Sequence, residues 1–203
     1  QHNIKSQQAT FEFAIQKGVE KVEPAWLITE LRKKQWSRWE EQNARPGATD
    51  EDDSVLDHDM EGMGTVGAVA LDKDGNVAAA TSTGGMTGKP KGRIGDTPII
   101  GAGTWADPNI AVSCTGVGEA FIRTCAAHRL ATKFETGLSL DVACRDVLDA
   151  VEPIGGRGGV IAVTKDGDVA TPFQTMLMYR GVWKDGEITI GIGPTDVDLD
   201  SMD

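Results

Sequence analysis

The chain has 203 residues, 39% hydrophobic and 25% charged, enough for one domain with a buried core and ordinary for a globular protein. Its formal net charge of -11 lies in two runs, seven acids from Asp50 to Glu61 and Asp196, Asp198, Asp200 and Asp203 in the tail, so the rest of the chain is neutral and both runs read as solvated loops. With no basic stripe and no apolar run long enough for a bilayer, the sequence offers nothing to nucleic acid or to a membrane.

Thr10 to Gly18 reads as a short helix stopped by glycine, followed by an extended piece from Val19 to Val22. Pro24 to Gln42 reads as a longer helix, with Pro24 in its first turn and Trp26, Leu27, Leu31 and Trp39 toward one side. From Asn43 to Met63 the pattern dissolves into Pro, Gly and acids, which predicts an exposed linker. Three units then share a Lys-Asp-Gly turn between apolar runs, centred on Lys73-Asp74-Gly75, Lys165-Asp166-Gly167 and Lys184-Asp185-Gly186. Each predicts a β-hairpin, because Asp-Gly supplies the positive φ that matches strand twist. Between the first two hairpins, apolar residues at helical spacing predict helices over Glu119–Phe134 and Leu140–Val151, the second capped by Ser139. Hairpins with grouped helices predict an α+β fold, antiparallel sheets covered by helix layers.

The first hairpin brings two hydroxyls together. A two-residue turn on Asp74-Gly75 sets Thr65 opposite Gly84 and Val66 opposite Thr83; a longer loop shifts this by a residue or so. In each case Thr83 folds back beside Thr65. A threonine hydroxyl is a weak nucleophile without a base. An N-terminal threonine uses its own α-amine, whose ordinary pKa of about 7.7–8.0 suits that task. Freeing this amine requires breaking the Gly64–Thr65 bond, and the linker ends at that point. Taken alone, Thr65 reads as an ordinary strand threonine.

Thr115-Gly116 lies where the apolar strand Ile110–Cys114 meets the Glu119 helix, so a hydroxyl and a backbone N–H there can form an oxyanion hole. By itself the segment reads as a capped strand-to-helix turn. Arg93 and Asp96 stand in a Gly/Pro-bounded loop. Together they match the carboxylate and ammonium ends of an amino acid, and on spacing alone they also read as a surface ion pair. Gly155-Gly156-Arg157-Gly158-Gly159 lacks any phosphate-binding fingerprint and reads as a tight lead into the second hairpin, and Trp26, Trp36 and Trp39 read as helix packing. Cys114, Cys125 and Cys144 form no Cys-x-x-Cys pair; Cys125 and Cys144 fall on apolar helix faces and are expected in the core. His2, His58 and His128 show no ligand spacing, so no metal and no cofactor are expected. The chain starts with Gln, and a cytoplasmic location is favoured over a periplasmic one.

The motifs Gly64-Thr65-Val66-Gly67-Ala68-Val69-Ala70, Thr81-Ser82-Thr83-Gly84-Gly85-Met86, Gly92-Arg93-Ile94-Gly95-Asp96-Thr97-Pro98, Gly101-Ala102-Gly103 and Ser113-Cys114-Thr115-Gly116 stand in this order. On them the chain resembles the plant-type L-asparaginases, or isoaspartyl peptidases, which are N-terminal-nucleophile hydrolases. The resemblance implies a four-layer αββα sandwich and self-cleavage between Gly64 and Thr65. It implies Thr65 as nucleophile and Thr83 as its hydroxyl partner. Thr115 and Gly116 would form the oxyanion hole, Arg93 would bind the substrate α-carboxylate, and Asp96 with Gly118 would hold the α-amino end. The reaction implied is hydrolysis of β-aspartyl amides, isoaspartyl dipeptides and asparagine, through an acyl-threonine ester. Residues 1–42 would be the end of an α-subunit, 43–64 an acidic linker ending at the cleavage site, and 65–203 the catalytic β-subunit. Processed αβ units would form a homo-oligomer.

Two departures qualify the expectation. The family's opening strand, with its His-Gly-Gly-Ala-Gly motif, and its sodium-holding loop have no counterpart here, so the sandwich is expected to be incomplete on its N-terminal side. Phe173-Gln174-Thr175-Met176-Leu177-Met178 stands where Asn and Gly are expected. A glycosylasparaginase-like amidase is the near alternative. A truncated, non-catalytic paralogue acting by association is the distant one.

Overall fold

The computed structural model describes residues 7–43, 64–193 and 196–198. The chain divides into two compact units, Gln1–Pro46 and Gly47–Asp203. Most of the predicted linker, residues 44–63, lies outside the described residues.

The first unit holds α1 (Gln7–Gln16) and α2 (Glu30–Asn43). The single helix expected from Pro24 is two elements. Pro24–Leu27 makes one 3-10 turn, Ile28 is extended, and α2 starts afresh after Thr29, whose hydroxyl accepts from the Arg32 N–H at 3.3 Å. Thr29 is therefore a cap that the apolar pattern concealed. Trp36 and Trp39 stack at 5.1 Å, whereas Trp26, Leu27 and Leu31 are exposed rather than packed on one helix face.

The second unit stacks sheets and helices in an α+β sandwich. β1 (Thr65–Leu71) and β2 (Val77–Thr83) form a two-stranded antiparallel sheet. β3 (Thr104–Ala106), β4 (Ile110–Gly116), β5 (Gly158–Thr164) and β6 (Val169–Ala170) form a four-stranded antiparallel sheet in that order. Residues 110, 112 and 114 of β4 and 160 and 162 of β5 turn into the main core. There they meet α3 (Gly118–Thr124), α4 (Ala126–Glu135) and α5 (Leu140–Val151). The α5 residues Leu140, Ala143, Cys144, Val147, Leu148 and Val151 are all buried, the one-sided spacing of a helix lying on a sheet. The opposite face of β4 and β5 meets the β1–β2 hairpin. The strands β4 and β5 are thus covered on both sides, which is why they read as unbroken apolar runs. On the outer face of the hairpin, Val66, Ala68 and Ala70 are exposed. A further sheet is built from β7 (Arg180–Lys184), β8 (Glu187–Gly191) and β9 (Asp196–Asp198). The acidic tail is therefore partly strand, a correction to its reading as loop: β9 satisfies backbone groups along the free edge of β8.

The three Lys-Asp-Gly turns are hairpins, but of two kinds. In the first, Leu71 pairs with Val77 and Asp72 N–H donates to Asn76 O, leaving a three-residue loop with Gly75 at φ 82. The loop at Lys165–Gly167 is built the same way. In the third, Lys184 pairs with Glu187 and only Asp185 (φ 55) and Gly186 (φ 89) turn, the two-residue form. Asp72 explains the longer loop: its carboxylate accepts from the N–H groups of Asp74 and Asn76, both at 2.8 Å, pulling those residues into the turn.

The predicted helix 119–134 is broken at Cys125, which takes a left-handed conformation (φ 49, ψ 48) between α3 and α4. Cys125 is consequently exposed, contrary to its expected place in the core, while Cys114 and Cys144 are buried. Ser139 does precede α5, but its hydroxyl makes no cap bond.

Candidate active site

β1 begins at Thr65, and the three-residue loop sets Thr65 opposite Thr83 itself. The two-residue register would have been off by one. The Thr65 hydroxyl donates to Thr83 Oγ1 at 3.3 Å, and Thr83 Oγ1 also accepts from Gly85 N–H at 2.9 Å. Gly64, immediately before the strand, is exposed.

The orientation of the hairpin on the larger sheet follows from two close approaches. A Cβ at Gly67 would lie 2.4 Å from Ser113 Oγ, so the hairpin touches β4 there. Leu71 reaches the Gly167 turn, beyond the Ile110–Thr164 end of the sheet. β1 thus runs antiparallel to β4, and Thr65 lies at the end where β4 finishes with Thr115 and Gly116. Cys114 enters the core and Ser113 meets the hairpin, so by strand alternation Thr115 projects on the hairpin side.

Gly116 has φ 153, and a Cβ there would lie 2.3 Å from Arg157 O; only glycine fits. Val117 N–H donates to Arg157 O, so the 117/157 pair is hydrogen-bonded. By the alternation of an antiparallel ladder, the Gly116 N–H points away from β5. On that side Gly103 O takes the Cys114 N–H and β3 extends no further along β4. β3 therefore leaves the Gly116 N–H without a ladder partner on that side.

Two residues on, α3 opens at Gly118. A Cβ there would lie 2.9 Å from Asp96 Oδ1 and 3.1 Å from Arg93 Nη2, so Gly118 is the floor on which both side chains rest. The expected ion pair between Arg93 and Asp96 is not the one formed. Arg93 bonds Glu119 instead, Nε to Oε1 at 2.8 Å and Nη2 to Oε2 at 2.7 Å. Glu119 holds the arginine pKa above its ordinary value, and Arg93 holds the Glu119 carboxyl below the usual range. Asp96 is 6% exposed, and its Oδ2 is buried with no hydrogen-bond partner among the described residues. Desolvation pushes its pKa up, against the lowering effect of its own backbone N–H and of Arg93. A buried carboxylate oxygen left unpaired is costly, and its natural complement is a cation.

Thr65, Thr83, Thr115, Gly116, Gly118, Arg93 and Asp96 therefore gather at one end of the sandwich. Glu119 was missed as a site residue. The sequence pattern marks it as the start of a helix, and the signal for more is its place three residues after Gly116 with the Arg93 loop upstream. The Gly155–Gly159 run is structural, as expected: Gly155 (φ 80) ends a 3-10 turn and Gly158 pairs tightly with Gly116. Among the described residues no group of three or more His, Cys, Asp or Glu is placed to hold a metal, and no helix is long and apolar enough to cross a membrane.

Residues 1–192 match the family described as asparaginase. The chain is 49% identical over 177 residues to an isoaspartyl peptidase of Escherichia coli (strain K12), which covers 83% of this chain and 52% of that protein. It is 41% identical over 182 residues to an isoaspartyl peptidase/L-asparaginase of Xenopus laevis, covering 89% of this chain and 56% of that one. With the Homo sapiens isoaspartyl peptidase/L-asparaginase it shares 37% identity over 203 residues, 99% of this chain and 63% of the human protein. The chain thus spans between about half and two thirds of the length of these relatives. With a family match over nearly its whole length, and the convergent site at the end of its sandwich, this chain belongs to the asparaginase family.

Proposed function

We propose that the chain is the self-processing, catalytic part of a threonine amidohydrolase acting on β-aspartyl amides, that is, isoaspartyl dipeptides and L-asparagine. The observation that carries this reading is the 3.3 Å approach of Thr65 Oγ1 to Thr83 Oγ1, at the same end of the sandwich as Thr115, Gly116 and the unpaired Asp96 oxygen. The names of the relatives support the substrate class.

In the self-cleavage step, Thr65 Oγ attacks the Gly64 carbonyl carbon. The C–N bond breaks as the Thr65 nitrogen takes a proton, and water hydrolyses the resulting ester. The freed α-amine then serves as the base that histidine supplies elsewhere. In turnover it takes the Thr65 hydroxyl proton while Oγ attacks the β-amide carbon of the substrate. The Thr115 hydroxyl and Gly116 N–H receive the developing oxyanion, a contribution of about 2.7–4 kcal/mol for each donor. The amine carries the proton to the leaving nitrogen, and ammonia or an amino acid departs. Water, deprotonated by the same amine, releases aspartate from the threonine ester. Thr83 fixes the rotamer of Thr65. Asp96 receives the substrate ammonium, and Arg93 offers its remaining edge to the α-carboxylate.

This reading carries self-association of processed units. It is supported by the exposed cross-strand pair Trp183 and Ile188, and sedimentation measures it. The deciding experiment on the main reading is Thr65→Ala in the full chain. The expected protein stays in one piece on a denaturing gel and releases no aspartate from β-aspartyl dipeptides. Turnover by that variant would refute the mechanism.

A further inference from the structure

We infer that Thr81, Thr104 and Ser113, none of which takes part in the chemistry above, form a hydroxyl network that sets the distance between the nucleophile and the oxyanion donors. The inference rests on the proposed mechanism. Thr104 Oγ1 donates to Thr81 Oγ1 at 2.6 Å and lies 3.2 Å from Thr97 O. Thr81 Oγ1 lies 2.7 Å from Ser113 Oγ and 3.4 Å from Gly103 O. Ser113 is buried, and the other two hydroxyls are half-buried between the stacked sheets.

Position gives the network its meaning. Thr81 stands two residues before Thr83 on β2, and Ser113 two residues before Thr115 on β4. Thr97 follows Asp96 directly, and Gly103 O holds the Cys114 N–H. Thr81 is also the cross-strand partner of Gly67, two residues after Thr65, and Gly67 is the residue that rests on Ser113. One cluster of three side chains thus hydrogen-bonds β2, β3 and β4 to the carbonyls of Thr97 and Gly103, and meets β1 where Gly67 rests on Ser113. An apolar contact between sheets is not directional and tolerates a slide of some tenths of an ångström. Hydrogen bonds at these lengths do not, because they weaken steeply with angle and distance. Effective rates in such sites depend on the placement of reacting atoms, and a shift of about 1 Å costs on the order of 100-fold. These three hydroxyls are positioning residues and do not touch substrate.

The test uses Thr81→Val, which keeps the shape and deletes the hydroxyl, beside Thr81→Ser, which keeps the hydroxyl, each in the full chain. Two rates are read: self-cleavage at Gly64–Thr65 and kcat on a β-aspartyl dipeptide. Thr81→Val is expected to slow both by about tenfold with KM unchanged, and Thr81→Ser to restore them. In a background already carrying Thr115→Ala, Thr81→Val is expected to lose most of its effect, because the group it positions is gone. Equal losses in the Val and Ser variants, or a full effect on top of Thr115→Ala, would overturn the inference. If Thr81→Val does not fold, Ser113→Ala read on the same two rates decides. A parent that cuts itself but leaves β-aspartyl amides intact overturns the substrate reading instead, and the network is then judged on self-cleavage alone. A parent that does neither overturns both.

Discussion

Glu119 grips Arg93 along one edge of the guanidinium, at Nε and Nη2, and leaves the other edge, Nη1 with Nη2, without an acceptor among the described residues. A planar fork has two bidentate faces, so the arginine is anchored and still able to take a carboxylate. Arg93 is mostly buried and Glu119 about half exposed, which limits the strength of the pair. Replacing Glu119 by Gln is expected to raise KM for substrates with a free α-carboxylate by about tenfold, the equivalent of about 1.4 kcal/mol, with a smaller change in kcat. Steady-state kinetics against α-amidated analogues, whose KM is expected to move little, check the assignment.

Asp96 is expected to trade stability for function. Its folded-state pKa is raised by burial, so the native protein binds this proton more tightly than the unfolded chain does. Stability from this group is therefore present at low pH and is lost as pH rises from the ordinary carboxylate value through the raised one. Asp96→Asn removes that loss and is expected to stabilise the fold at neutral pH by on the order of 1 kcal/mol. Substrate affinity should fall by at least tenfold through the missing partner for the ammonium group. Denaturant melts at two pH values and KM measure the two effects separately.

Glu119 acts in the opposite direction. Its carboxyl is held below the usual range by Arg93, so its contribution is present above the ordinary carboxylate value and fades as pH falls below it. KM for substrates with an α-carboxylate is accordingly expected to rise on acidification, and to do so less in Glu119→Gln.

Gly67→Ala tests the seat of the hairpin. The new methyl would meet Ser113 Oγ at 2.4 Å and Ser113 Cβ at 3.1 Å, so the sheets must part or the serine must turn away from Thr81. We expect a loss of about 1–3 kcal/mol of stability together with slower self-cleavage. Thermal melts and a time course of Gly64–Thr65 scission record both.

The three thiols should separate cleanly by reactivity. Cys114 is fully buried and desolvation raises its pKa well above the ordinary value, while Cys144 is pushed up to about 12. Cys125 alone is exposed. A disulfide reagent is expected to titrate one thiol in the native protein and three after unfolding. Two fast-reacting native thiols would contradict the burial of Cys114 or Cys144.

The parts of this fold legible in the sequence are those governed by neighbours along the chain. The Lys-Asp-Gly turns, the apolar face of α5 and the pairing of Thr65 with the region of Thr83 all follow from local pattern. Errors arose where a side chain reached over a few residues. Asp72 lengthened the first loop and moved the register by one, and Thr29 restarted a helix that the apolar spacing had run together with Pro24. The break at Cys125 has no evident signal in the residues around it. The exposed Glu119 carried no hydrophobic cue, and its tie to Arg93 spans 26 positions.

By itself the amino-acid order determined the hairpins and the apolar strands, and it brought Thr83 back beside Thr65, because turn propensity and side-chain period act over a few bonds. Only tertiary structure decided which end of the sandwich those threonines share, which acid Arg93 holds, and that an oxygen of Asp96 is left buried without a partner among the described residues. Those outcomes depend on sheets stacking through Gly67 and Ser113, and on desolvation that exists only once distant segments have closed over one another.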